Sequence, residues 1–335
     1  MHSFVSTFIT NLPNQLQNLV TLVLAICIEA FPFIVLGVFF STIIEVWVPD
    51  GFVQKYLPKN RILSHFLTAA LGFFMPVCEC GNVPVVRKMM QKGFSVSQSI
   101  TFLLAAPIVN PIVWITTAQA FNLDPNIAII RILWGLFISV FLGLLFSFSK
   151  NQEAWLNPDF AKTCEIGHSD DHDYADHHND HDHSSSLDSK SSKSKWIKQL
   201  ASAQEIFQAE IWQTMQMLLV GAVLAGLVQV FVPRQEIITI GQNPILSVFA
   251  MLVLAFVVSM CSNVDAFFAL SLSGSFNIGS LMTFMVFGPM IDIKILAMLR
   301  QTFTPRFLLQ LVALVAILSL IAGFGTNLIY YKPVF

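Results

Sequence analysis

From Gln15 to Trp47 the chain is apolar for over thirty residues, whereas about 20 suffice for a helix to cross a bilayer. A run of that length reads as a long or kinked membrane helix. Pro32 is the expected kink, because proline lacks an N–H and crowds the preceding turn. No basic region precedes the run and no small-residue cleavage site follows it, so it is expected to be a retained span rather than a signal peptide. The rest of the 335-residue chain agrees: 55% of it is hydrophobic and 11% charged, against about 25% charged in soluble domains. The five cysteines are odd in number and mostly in apolar surroundings, which argues against a secreted disulfide framework. No basic patch with interleaved aromatics suggests nucleic acid, and no phosphate-cradling Gly-x-x-x-x-Gly-Lys-Ser/Thr loop is present.

Several apolar runs are interrupted. Met75-Pro76-Val77-Cys78-Glu79-Cys80-Gly81-Asn82-Val83-Pro84 places two prolines, a glycine and an asparagine where a membrane helix excludes them, and predicts an unwound segment between the prolines. Ile62 to Phe74, just before it, is short for a crossing and suits a re-entrant entry. Ala106-Pro107-Ile108-Val109-Asn110-Pro111 breaks the middle of the run from Ser97 to Phe121. A further span runs from Ile127 to Phe148, and apolar sequence resumes at 211–232, 245–260, 278–291 and 307–329.

These landmarks recur in order. Gly37 and Pro49 match Gly221 and Pro233 at an offset of 184, Cys80 and Asn82 match Cys261 and Asn263 at 181, and Pro107 and Asn110 match Pro289 and Asp292 at 182. Such internal symmetry predicts a duplicated transporter architecture. The expected fold class is therefore all-α and polytopic, with two repeats of inverted topology, each combining spanning helices with broken or re-entrant segments around a central site. Basic residues set the orientation. If the Cys78/Cys80 segment enters and returns, the loop with Lys55, Lys59 and Arg61 and the stretch with Arg87, Lys88 and Lys92 share the cytoplasmic side. Each half then makes three crossings, and an odd number inverts the second copy. The 233–244 loop, whose only basic residue is Arg234, and the uncharged 266–280 stretch are expected outside. The expected domains are a first membrane repeat over 1–148, a cytoplasmic linker over 149–205 rich in His, Asp, Ser and Lys, and a second repeat over 206–335.

Unwound backbone at membrane depth is tolerated where protein or a water-filled cavity satisfies its polar groups, so the matched breaks point to one central site. Its candidate substrate-binding residues are Cys78, Cys80, Asn82, Pro107, Asn110, Cys261, Asn263, Asp265 and Asp292. Glu79, Asp265 and Asp292 are the candidates for ion coupling, since carboxylates at membrane depth usually face a pathway. The competing reading has them pairing with Arg87 or Lys294 at the interface. Thiolates favour soft metals and metalloids, although buried cysteines also serve as small apolar residues. In the linker, His168, His172, His177, His178, His181 and His183 form an irregularly spaced candidate ligand set for a divalent metal, or a solvated spacer. No other cofactor is expected.

The runs Pro76-Val-Cys78-Glu-Cys80-Gly-Asn-Val-Pro84 and Ala-Ala-Pro107-Ile-Val-Asn110-Pro111 resemble the signature of the predicted permease family that includes the bacterial organoarsenical efflux permeases. The resemblance covers both apolar halves. It implies a multi-pass permease of the bacterial inner membrane with about eight predicted membrane segments. Some members resemble one half of a two-protein permease complex, which makes a second membrane subunit a candidate partner beside the lipid bilayer and a small solute or ion. The expected function is a permease, not an enzyme, moving a small solute or ion, with metal or metalloid efflux as the candidate process. The alternative is a non-transporting membrane subunit or metal sensor of a two-protein complex.

Overall fold

The computed structural model describes residues 14–47, 58, 60–75, 79–121, 125–149, 152–161, 191–231 and 244–330. Among them twelve α-helices carry nearly all the structure: α1 (Asn14–Trp47), α2 (Arg61–Phe74), α3 (Glu79–Gln91), α4 (Val96–Val109), α5 (Pro111–Ala120), α6 (Pro125–Ser147), α7 (Ser191–Phe231), α8 (Pro244–Val258), α9 (Asp265–Ser271), α10 (Ile278–Met290), α11 (Ile293–Leu299) and α12 (Pro305–Ile329). Six stretches are long and apolar enough to cross a membrane: Leu16–Trp47, Val96–Ala120, Pro125–Ser147, Ala203–Leu227, Ile278–Leu299 and Pro305–Ile329. Two shorter apolar helices, Arg61–Phe74 and Ile245–Val258, accompany them. This is a multi-pass, all-α membrane protein.

Its polarity is inverted relative to a soluble fold. Phe39, Phe66, Leu133, Phe137, Leu309 and Leu328 are exposed, while Thr101, Ser139, Thr283 and Ser319 are buried. With lipid outside, helices gain little from hiding apolar surface and associate through close packing of small residues. Thus α4 lies between α2 and α6, and α10 between α8 and α12. A Cβ on Gly72 of α2 would sit 2.6 Å from the Ala106 Cα of α4. Thr101 of α4 fills the space beside Gly143 of α6, as Thr283 of α10 does beside Gly323 of α12. Both hydroxyls donate to a carbonyl one turn back, Ser97 and Gly279, so they leave no buried donor unsatisfied.

The interrupted segments form two hairpins that enter from opposite ends of this bundle. At one end Arg61, opening α2, donates to the Ser147 carbonyl, and Gln98 donates to Ser64 at 2.6 Å. Lys88, near the close of α3, pairs with Glu45 at 2.5 Å, and Arg87 covers the Phe160 ring. So α2 enters and α3 returns at the same end. The other hairpin opens at the far end, where Ser247 of α8 meets Ser280 of α10 at 2.7 Å and Asn327 of α12 accepts from the Gly279 N–H. There α8 enters, and α9 returns through a turn into α10.

Three expectations need correction. The segment between Pro76 and Pro84 is not unwound as far as it is described: α3 starts at Glu79 and runs through Pro84, so Cys80 and Asn82 are helical. Proline is tolerated early in a helix, and Pro84 leaves only an early carbonyl without its N–H partner. The break at 106–111 is confined to Asn110, because α4 continues through Pro107 and α5 begins at Pro111. The stretch after Phe148 is not wholly solvated: Leu156 and Phe160 are buried, and Trp155 stacks on Phe307 at 5.0 Å. Its few apolar residues suffice to dock it against the start of α12. Cys78 and the six linker histidines lie outside the described residues, as does most of the 233–244 loop.

Candidate functional site

The two hairpin tips meet inside the bundle at one ammonium. Lys294 of α11 donates to Glu79 Oε1 at 3.0 Å, the first residue of α3, and to the Ser259 carbonyl at 3.2 Å, where α8 has just ended. Asp292 Oδ2 stands 3.5 Å from the same nitrogen. All of these groups are buried, with Lys294 at 2% and Glu79 at 1% exposure. Ser259 is held at φ 49°, a left-handed conformation that branched side chains resist and that turns its carbonyl toward the lysine. The thiols of Cys80 and Cys261 lie within electrostatic reach of the ammonium. Glu29, a carboxylate in the middle of α1, interacts with both Lys294 and Cys261.

A second ion pair stands beside this cluster. Arg131 of α6 is fully buried and donates to Asp265 Oδ2 at 2.5 Å and to Thr117 of α5 at 2.7 Å. Asp265 opens α9 as Glu79 opens α3, and an acid in the first turn of a helix is favoured by the partial positive charge there. Each hairpin acid therefore takes its cation from the other half of the chain. Isolated charges at this depth cost several kcal/mol, and only paired, hydrogen-bonded ones are commonly retained.

Asn110 and Asp292 play one role in two places. Each caps the short helix that follows a break: Asn110 Oδ1 accepts from the Ile112 N–H at 2.9 Å, and Asp292 Oδ1 from the Ile295 N–H at 2.6 Å. Asp292 has a second oxygen left for Lys294. Asn82 is fully buried with neither amide atom hydrogen-bonded, and Glu79 Oε2, Asp265 Oδ1 and Asn263 Oδ1 likewise lack a donor. Buried polar atoms without partners are rare in native proteins, and here they cluster at the hairpin tips.

The structure thus brings Glu79, Cys80, Cys261 and Asp292 around one lysine and sets Asp265 in the adjoining pair. Asn110 and Pro107 belong to the neighbouring helix break. Asn82 and Asn263 sit on the two tips. Sequence reasoning passed over Arg131, although it is the only charged residue in the Ile127–Phe148 run. A lone base in an apolar span carries the same signal as a lone acid. Lys294, which the charge pattern puts at the cytoplasmic interface, is instead the buried centre. Among the described residues no group of three His, Cys, Asp or Glu side chains is placed to hold a metal.

A bundle of membrane helices with two opposed hairpins and a buried charged centre is the kind of architecture that membrane transporters use. Comparison with known families makes this specific: residues 15–328 match the family model described as "Predicted permease". The chain belongs to that family and is a membrane permease. A Streptococcus mutans protein, provisionally named a two-component membrane permease complex subunit, is 34% identical over 311 residues, covering 93% of this chain and 95% of that one. The Bacillus subtilis UPF0718 protein YcgR is 35% identical over 297 residues, covering 89% and 92%. No solved structure matches significantly.

Proposed function

We propose that this permease moves a small solute or ion by alternating access between two inverted halves, with the hairpin tips as its central gate. The observation that carries the reading is the meeting of both tips, entered from opposite ends, at Lys294. Irregular backbone at membrane depth is characteristic of binding sites in inverted-repeat transporters. The recurring landmarks, the capped breaks at Asn110 and Asp292, and the Thr101–Gly143 and Thr283–Gly323 contacts all support a duplication. Glu79, Asp265 and Asp292 are the coupling acids, and Cys80, Asn82, Cys261 and Asn263 line the substrate path.

The substrate class the thiols favour is a soft metal or metalloid, moved outward. The linker faces the cytoplasm, where its histidines offer low-affinity ligands to a divalent metal. Basic residues at Arg61, Arg87, Lys88, Arg300 and Arg306 support that side assignment. The S. mutans relative's name supports a second membrane subunit as partner, and with it a second reading in which this chain alone transports nothing.

Flux into vesicles holding the purified protein alone separates the two readings. Uptake of a metal or metalloid across an imposed proton gradient supports the permease acting by itself. Flux only after the second subunit is added assigns this chain a subunit's role. Growth of deletion and overexpression strains on a panel of metals and arsenicals narrows the substrate.

A further inference from the structure

We propose that Glu79 and Asp292 form a binding site for a monovalent cation, which the Lys294 ammonium fills in this conformation as a tethered competitor. The inference rests on the reading of these acids as coupling groups and adds the ligand class and the device that empties the site.

Three features carry it. The first is bookkeeping of hydrogen bonds. An ammonium has three N–H groups, and Lys294 donates two of them, to Glu79 Oε1 and the Ser259 carbonyl. Asp292 Oδ2, 3.5 Å from the ammonium, is paired by charge but accepts no hydrogen bond, and Glu79 Oε2 and Asn82 Oδ1, three residues apart and so on the same face of α3, also lack a donor. The site holds more oxygen acceptors than its lysine can serve.

The second is charge. Glu29, Glu79 and Asp292 all interact electrostatically with Lys294, so acids outnumber the base. Arg131 does not make up the difference, being engaged by Asp265 and Thr117. The third is connectivity. Asp292 and Lys294 lie at the start of α11 and move together, but Glu79 stands on α3 in the other half. Any movement that separates the halves strips Glu79 of its cation while it remains deeply buried. A bare carboxylate there is strongly disfavoured, so a mobile cation takes the place the ammonium leaves. Oxygens 3.0–3.5 Å from the ammonium nitrogen suit a primary ammonium or potassium, whereas sodium has to draw them closer.

The test uses the full chain purified in detergent, at constant ionic strength, with tetramethylammonium chloride as the baseline salt. K294A is expected to melt lower than wild type and to regain about 5 °C in Tm, saturably, with methylammonium, sodium or potassium chloride. The salt that rescues identifies the ligand. Wild type is expected to show no such response, because its own ammonium fills the site, and E79Q/K294A none, because a carboxylate is gone. A folded K294A indifferent to all three cations overturns the proposal. Should K294A fail to fold in baseline salt, its purified yield with and without methylammonium is the readout, and no recovery overturns the proposal equally. Absence of flux in wild-type vesicles sinks the transport reading but leaves this measurement intact.

Discussion

The two hairpin tips share Cys-x-Asn-Val and fold differently. At the first, Cys80-Gly-Asn-Val lies within α3, which starts at Glu79. At the second, Cys261-Ser-Asn-Val is a turn, and α9 starts only at Asp265. What differs is where the acid stands: one residue before the cysteine in the first copy and four after it in the second. In both, the carboxylate stands in the first turn of the described helix, and in both a cation from the other half meets it. The lesson is that the acid, not the shared motif, keeps its place in the first turn of a helix, where its charge is favoured by the N–H groups.

The largest expected effect comes from unpairing the second tip. R131A leaves Asp265 buried without its cation and should cost about 3–5 kcal/mol, read as a fall in Tm in detergent. R131A/D265N removes both charges and should recover most of that loss. If R131A alone is harmless, the ion pair does not fix the start of α9.

A smaller effect should mark the first tip. Gly37 of α1 packs directly on Gly81, so the added methyl of G37A runs into the α3 backbone and should cost about 1–3 kcal/mol. Its counterpart Gly221 sits against Lys294 instead, with 2.9 Å to the carbonyl, and G221A should be milder. G288A, with only a 3.6 Å contact to Ala255, should be tolerated. Equal losses at all three would mean that α1 does not pin the first tip. Ser259 offers the matching probe of the second tip: S259V forces a branched side chain into positive φ and should cost about 1–2 kcal/mol, whereas S259G should stay near neutral.

How far this architecture was legible in the sequence follows from the same contrast. Apolar run length revealed the spans, and proline and asparagine marked where the chain changes course. The breaks are nevertheless shorter than the proline spacing suggests, because Pro84 and Pro107 each sit inside a helix that tertiary packing holds together. The acids were legible since each interrupts an apolar run. Their partners were harder to read: Arg131 stands 134 residues from Asp265, and Lys294 stands 215 from Glu79, so the pairing exists only once the halves are folded together.

The smallest effect on folding, and the sharpest on function, is expected of D292N. Asp292 does two things: Oδ1 caps α11 through the Ile295 N–H, and Oδ2 faces Lys294. Asparagine keeps a carbonyl oxygen for the cap, as Asn110 does for α5, and cap strengths of Asn and Asp are similar. Glu79 still neutralises Lys294. Stability should therefore change by no more than about 1 kcal/mol. Gradient-driven flux should fail, because the substitution gives both breaks the same cap while deleting the acid that the second break alone carries. N110D makes the converse change, adding a charge to the first break, and should disturb folding more, since no lysine follows it two residues on. Normal transport by D292N with an unaltered pH dependence would make Asp292 a cap and nothing more.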